Sequence, residues 1–406
     1  MLPWEWTLYL EYDAKIQDFF VEQYLNKYYQ SESTRIIRLD LSPGDDQTFD
    51  RTTADRVSRM LPSHHALDVI CSKKLCLEGF LTLCGHLSGN TSITSLRLRK
   101  FPNEYITYFQ DSWKALRELL VKNAGIEELT IIGRGHVFAV DDHPGENDNN
   151  FFRTFVDGLQ RNDTIKSLVL EEMDIPNSRA FTSIFSEAVS IQSLELTKVG
   201  IAFSAWLSLL ETKWRPSYHL TSLKLEGRII ESKSFLGGLF HVLSVLPSLR
   251  HLKLSLQFHS GVDSDVTPHL ENLLEENRLK ALDVSDMGGY VNWSHICTAC
   301  LKSNTSLERL VMPPLQPDEK ARFDVVLLET LQEHNAVLYW VNTTNKNNEE
   351  IFYWLFLNKM GRASVRDSAT SKTDFVNLLC QIPCRNRSVK VCFGLLREVP
   401  AKWSNS

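Results

Sequence analysis

One phrase of apolar and polar positions recurs along the chain. It reads Ile-Thr-Ser-Leu-Arg-Leu at 93–98, Ile-Lys-Ser-Leu-Val-Leu at 165–170, Ile-Gln-Ser-Leu-Glu-Leu at 191–196 and Leu-Thr-Ser-Leu-Lys-Leu at 220–225. The alternation at its end predicts a short strand with one face inward. Aligned on its central aliphatic residue, the phrase gives Leu39, Leu67, Leu96, Leu129, Leu168, Leu194, Leu223, Leu252, Leu282, Leu310 and Val341. The later copies are spaced about 28 to 30 residues apart, a period that marks a repeat solenoid. Between strands, the spacing of Leu77, Phe80, Leu81, Cys84 and Leu87, and of Leu236, Leu239, Phe240, Leu243 and Leu246, predicts helices. Strand, helix, strand at this length implies parallel strands joined by right-handed crossovers.

Three segments follow from where the pattern holds. Residues 1–35 predict an N-terminal helical cap, with Trp4, Trp6, Tyr9 and Tyr12 ahead of an amphipathic stretch from Ile16 to Leu25. Residues 36–344 predict the array itself, of about ten or eleven repeats. Residues 345–406 predict a C-terminal helical cap or tail, with a helix from Ile351 to Met360 stopped by Gly361. The array is interrupted at 135–149 by a polar, acidic stretch expected to project as a loop. Its Asp141, Asp142, His143, Glu146 and Asp148 lack the alternating order of a calcium loop, and Pro144 breaks them, so a solvated loop is the reading.

Asn90, Asn123, Asn162, Asn304 and Asn335 each stand three residues before the apolar start of a strand. Such an Asn is expected to stop the helix in the left-handed conformation and to bond the turn backbone. Several of them also begin glycosylation sequons, which this turn role makes incidental.

The repeated Leu-x-x-Leu-x-Leu pattern resembles leucine-rich repeat proteins of the ribonuclease-inhibitor-like type, over roughly Arg35 to Thr344. The resemblance implies a horseshoe with a parallel concave sheet, convex helices and capped ends. The Asn or Cys usual after the last strand Leu is mostly missing; Gly133, Gly227 and Asp286 stand near that turn. The stretch Asn358-Lys-Met-Gly-Arg362 is similar to the tails of other such proteins.

Composition narrows the role. The 406 residues are 43% hydrophobic and 23% charged, with a net charge of −6. That balance argues against nucleic acid as a partner, which needs a strong positive field. No signal peptide is evident at the start, and the longest apolar run, at 351–357, falls short of the about 20 residues that span a bilayer. A cytoplasmic protein with reduced thiols is expected, with the nucleus as the alternative compartment. The eight cysteines do not form a dense disulfide framework. Cys297 and Cys300, with His295 nearby, have the spacing of a metal or redox pair. They also share an apolar helix face with Trp293, Ile296 and Leu301, so packing is the preferred reading and no metal is assigned. Phosphate-binding glycine loops and the serine-hydrolase elbow are missing from the sequence. No catalytic residue and no cofactor is therefore assigned.

What remains is the outward side of the strands. The middle column runs Asp40, Asp68, Arg97, Thr130, Val169, Glu195, Lys224, Lys253, Asp283, Val311, Asn342. The next runs Ser42, Ile70, Arg99, Ile132, Glu171, Thr197, Glu226, Ser255, Ser285, Pro313, Thr344. Arg97, Arg99 and Lys100 form a basic spot, Thr130, Ile132 and Val169 an apolar one, and Glu171 and Glu195 an acidic one. Lys224, Glu226, Lys253 and Asp283 continue the surface with alternating charge. Mixed charge with apolar islands suits a protein partner. The expectation is a monomeric, non-enzymatic interaction scaffold that binds a protein on these residues. Two alternatives come from the resemblance: a GTPase-activating regulator of a small GTPase, and a ubiquitin-ligase substrate receptor. No activating motif matches the first, and residues 1–35 do not read as an F-box for the second.

Overall fold

The structure is a computed structural model. It describes residues 8–10, 36–40, 51–59, 61–63, 65–70, 77–99, 101, 110–133, 150–175, 183–186, 189–201, 216–229, 233–258, 266–287, 291–341 and 349–359. The chain divides into two compact units, Met1–Ile230 and Glu231–Ser406. The division falls inside the stretch read from sequence as a single array.

In the first unit, β1 (Leu8–Leu10), β2 (Ile36–Asp40), β3 (Ala66–Ile70), β4 (Ser95–Arg99), β5 (Glu128–Ile132), β6 (Ser167–Glu171), β8 (Ser193–Thr197) and β10 (Ser222–Ile229) are neighbours in that order, all parallel. β7 (Asp174–Ile175) and β9 (Gly200–Ile201) form a separate two-stranded parallel pair. The central residues align as the repeat predicts: Leu67, Leu96, Leu129, Leu168, Leu194 and Leu223 are register partners from strand to strand. Helices α1 (Arg51–Ser58), α2 (Leu77–Ser88), α3 (Gln110–Lys122) and α4 (Asn150–Gln160) pack one on the next.

Along β4, β5 and β6 burial alternates, with Leu96, Leu98, Leu129, Ile131, Leu168 and Leu170 buried and their neighbours not. Parallel sheets are usually covered on both faces and then read as continuous apolar runs. Alternation in a parallel sheet means that one face is covered and the other is open. The covered face meets a run of fully buried rings: Phe101 lies 4.9 Å edge-on to Trp113, and Trp113 lies 5.5 Å from Phe155. Burial of each ring is worth roughly 1.5–3 kcal/mol, and the edge contacts add about 0.5–1.5 kcal/mol.

The second unit carries α5 (Lys233–Val245), β11 (His251–Phe258), α6 (Thr267–Glu275), β12 (Ala281–Asp283), α7 (Trp293–Ile296), β13 (Arg309–Val311), α8 (Pro317–Glu333), β14 (Trp340–Val341) and α9 (Glu349–Lys359). β11 to β14 pair in parallel, with Leu252, Leu282, Leu310 and Val341 in register. Each unit is thus an α/β solenoid segment of leucine-rich-repeat type. α7 runs into a π-helical turn at Cys297–Leu301. α8 starts at Pro317, whose missing N–H costs nothing at a first turn, and Asp318 and Glu319 there oppose the helix dipole.

The turns from helix to strand are held by buried asparagines. The amide of Asn123 donates to the carbonyls of Leu87 (2.6 Å) and Asn90 (2.7 Å), while its Oδ1 accepts from the N–H groups of Gly125 (2.8 Å) and Ile126 (2.7 Å). Asn162 repeats this on the carbonyls of Leu120 (2.7 Å) and Asn123 (3.1 Å). In the second unit Asn335 donates to Leu301 (2.8 Å) and Asn304 (3.1 Å). Asn358 continues the row, donating to Asn335 (3.1 Å) and Leu338 (2.7 Å). The Leu87, Leu120 and Leu301 carbonyls belong to the last turn of a helix, whereas Leu338 leads into β14. Stacked turns approach closely: a Cβ at Gly125 would stand 2.7 Å from Thr91 Cα, which only glycine permits.

Three expectations change. Leu39 pairs with Val69, not Leu67, so β2 enters two residues out of the expected register and Arg38, not Asp40, stands beside Asp68. A slip of two keeps the same side-chain face, which is why the alternation alone did not reveal it. The five turn asparagines are not left-handed; among the described non-glycine residues only Glu172, Lys198 and Asn277 have positive φ. Each Asn closes its turn through its own side chain, so the backbone need not enter that region. Within residues 1–35, expected to form a helical cap, Leu8–Leu10 is a strand on β2. The 135–149 stretch, Gly361 and the chain after Lys359 lie outside the described residues.

Replacing Asn123 by Ala removes the side-chain partner of two carbonyls and two N–H groups, of which the Leu87 carbonyl keeps the Asn90 N–H at 3.0 Å. Asn123→Ala should lower unfolding stability in urea by about 3 kcal/mol. Asn123→Asp should be comparably damaged at neutral pH, because its carboxylate would face two carbonyls. Its folded-state pKa would then be raised, so the variant should recover stability as pH falls. Equal urea midpoints for wild type and Asn123→Ala would refute the role.

Candidate protein-binding face

The register fixes which outward side chains are neighbours in the first unit. One row runs Asp68, Arg97, Thr130, Val169, Glu195, Lys224, and the next runs Ile70, Arg99, Ile132, Glu171, Thr197, Glu226; the pairing of Arg99 with Ile132 follows from that of the adjacent residues. Arg97 is exposed, while Thr130, Ile132, Val169 and Glu171 are half-buried. Most charges on this face are already engaged. Arg99 grips Asp68 with two nitrogens, Nε at 2.9 Å and the other at 2.8 Å. The grip matters because Asp68 is only 5% exposed. Lys224 bonds Glu195 on the adjacent strand and lies 3.4 Å from Glu226 on its own. Glu195 also accepts from the Thr197 hydroxyl at 3.2 Å. Burial alone would lower the Lys224 pKa, but the hydrogen bond and charge of Glu195, then Glu226, hold it above the ordinary lysine value. Raised on folding, this contribution is whole at neutral pH and fades only as pH climbs through the folded-state value.

Arg97 is different. It makes no ion pair among the described residues and stands beside Thr130, which adjoins Val169. Glu171, one row over, has no hydrogen-bonded cation among the described residues and feels Lys198 only through its charge. Lys100 lies outside the described residues. The residues that follow β5, β6 and β8 are Gly133, Glu172 and Lys198. The backbone turns left-handed there at Glu172 (φ 52°) and Lys198 (φ 51°). Their side chains pair at 3.0 Å.

In the second unit Lys253 and Asp283 are register partners and pair at 3.4 Å. The first outward column, read from sequence in neither unit, here runs His251, Ala281, Arg309, Trp340. The Arg309 guanidinium lies over the Trp340 ring, 5.1 Å from its centre. A Trp immediately before the aligned Val341 was the available signal.

Cys297 and Cys300 face inward with Trp293, Ile296 and Leu301, all buried. Burial raises both thiols, Cys300 to about 12 with help from Glu271 and Glu275, and Cys297 higher still. A thiolate is the reactive form, so these side chains behave as packing. Thr330, fully buried on α8, donates to the Cys297 carbonyl at 3.5 Å. No group of His, Cys, Asp and Glu among the described residues is arranged to hold a metal ion. No described helix is long and apolar enough to cross a membrane.

Comparison with known proteins gives fold likeness only. No family model and no curated protein matches the chain. Among solved structures it is similar to the leucine-rich repeat-containing protein LegL7 from Legionella pneumophila, at 13% identity and a TM-score of 0.44, over 79% of this chain and 97% of that one. It is also similar to a chain of the yeast Rad7–Elc1 complex, at 14% identity and a TM-score of 0.42, over 78% and 72%. Likeness this slight says nothing of function.

Arg99→Ala should cost about 2–3 kcal/mol in urea unfolding, since it strands the Asp68 carboxylate; the half-exposed arginine keeps the loss below that of a fully buried pair. Arg97→Ala should change stability by about 0.5 kcal/mol or less. A maleimide at about pH 8 should label Cys84, Cys297 and Cys300 only after denaturation, as read from the masses of their peptides. Native-state labelling at Cys300 would contradict its packing role.

Proposed function

We propose that the chain is a non-enzymatic scaffold that binds a protein on the open strand face of its first unit. One observation carries this reading: a sheet covered on one side only, whose open side holds an uncompensated Arg97 beside the Thr130 and Val169 pair. Solvated sheets need charge for solubility, and the Asp68–Arg99 and Glu195–Lys224 pairs supply it locally. Arg97, Thr130, Val169 and Glu171 are what is left to meet a partner. Arginine next to apolar area, ringed by polar side chains, is the composition of an interface hot spot. Catalysis is not part of this reading.

The reading is tested by reversing only the charges that the fold does not use. A photocrosslinker at position 169 identifies the bound protein in cell extract. Arg97→Glu with Glu171→Lys should then weaken that protein's binding by about a hundredfold, two lost contacts each worth about tenfold, with an unchanged melting curve. Undiminished binding by the folded double variant would remove the first-unit face from consideration. Reversal of Arg99 or Glu195 is a poor test, because either change also breaks an internal pair.

A further inference from the structure

We infer that the first outward column of the second unit is a docking site for an acidic segment of a partner protein, anchored on Arg309 and Trp340. It stands on residues other than the first-unit face and does not depend on it.

Arg309 and Trp340 are register partners on β13 and β14. Both are exposed, Trp340 by 37%. An exposed arginine normally samples many rotamers, and a ligand must bear the cost of fixing it. Here the ring of Trp340, 5.1 Å below the guanidinium, already holds it. The donors of Arg309 have no acceptor among the described residues, and no carboxylate pairs with it. The adjacent Glu308 is engaged by Lys280 at 3.2 Å. On the other side of Arg309 stands Ala281, too short to cover it. The column ends at the exposed His251, so it contains no carboxylate at all.

Charge complementarity decides the occupant. A planar fork of N–H donors fixed on a ring is suited to a carboxylate, which it can hold with two parallel bonds. An acidic segment supplies several carboxylates in a row, and its aliphatic stems can lie on the exposed Trp340. Nucleic acid could also use an arginine and a ring, but a phosphate backbone is followed by a run of cations, and this column offers one arginine.

The test uses the full chain with three fluorescent probes in anisotropy titrations: a decapeptide of alternating Glu and Ala, its Gln-for-Glu counterpart, and a single-stranded decanucleotide. The Glu peptide should bind best, and more weakly as salt is raised. Arg309→Ala should weaken it about tenfold, the scale of an anchoring arginine. Arg309→Lys, which keeps charge but not the fork, should recover only part of that. Trp340→Ala should weaken it about threefold by freeing the guanidinium, and Trp340→Phe less. Arg322→Ala, on helix α8, should leave it unchanged. The proposal is overturned if the Glu peptide does not bind, if the Gln peptide binds as well, if the oligonucleotide binds more tightly, or if Arg309→Ala binds like wild type.

Discussion

Everything on the open face depends on a polar interaction that never reaches it. Where a helix ends and the next strand begins, the backbone is buried and its carbonyls have no helical donor. A side-chain amide has two donors and one acceptor oxygen, so it can serve the preceding repeat and its own turn together. Asn123 does both, bonding the Leu87 and Asn90 carbonyls behind it and the Gly125 and Ile126 N–H groups ahead. Because the amide spans two repeats, it fixes their relative position as well as satisfying the backbone. That position keeps Leu96 opposite Leu129 and so sets Arg97 beside Thr130. Hydrophobic burial drives the repeats together, but it is non-directional. The asparagines supply the direction.

Once register is set, the outward charges sort themselves by reach. Arg99 can span to Asp68 and Lys224 to Glu195, and those pairs form. Arg97 adjoins Asp68 on one side and Thr130 on the other. The Asp68 carboxylate is already held in a fork by Arg99, which leaves Arg97 without an ion pair among the described residues. The same logic isolates Arg309, whose cross-strand neighbours are a methyl and an indole. Cations without an ion pair among the described residues of either unit are therefore consequences of local competition.

Much of the fold was legible because its signals are local and repeated. The strand phrase and the helix spacing each occur many times, so single weak copies are carried by their neighbours. The face was legible for the same reason: once Leu194 and Leu223 align, Glu195 and Lys224 must meet. What was not legible needed distances. Nothing in the sequence says that Arg99 rather than Arg97 takes Asp68, because both lie on the same face of β4. The slip at Leu39 was hidden by a period of two, and the loss of the expected left-handed turns by a side chain doing the work of the backbone. Asn358 looked like part of a tail motif without chemistry. In the structure it caps the same row of carbonyls as Asn335.

Function was less legible than fold for a related physical reason. Fold is written in many residues that must agree, whereas a binding surface is written in the few that do not serve the fold. Those residues are defined by subtraction, and the subtraction requires knowing every internal pair. Arg97, Arg99 and Lys100 are one basic run in the sequence, yet Arg99 belongs to the fold and Arg97 does not. Reading the run as a unit would credit a partner with energy already used to bury Asp68. A half-buried pair such as Lys224–Glu195 would also be released at little gain, because each ion must be freed before it can be bound again. Arg97 and Arg309 carry no such cost, which is the physical basis for placing recognition on them.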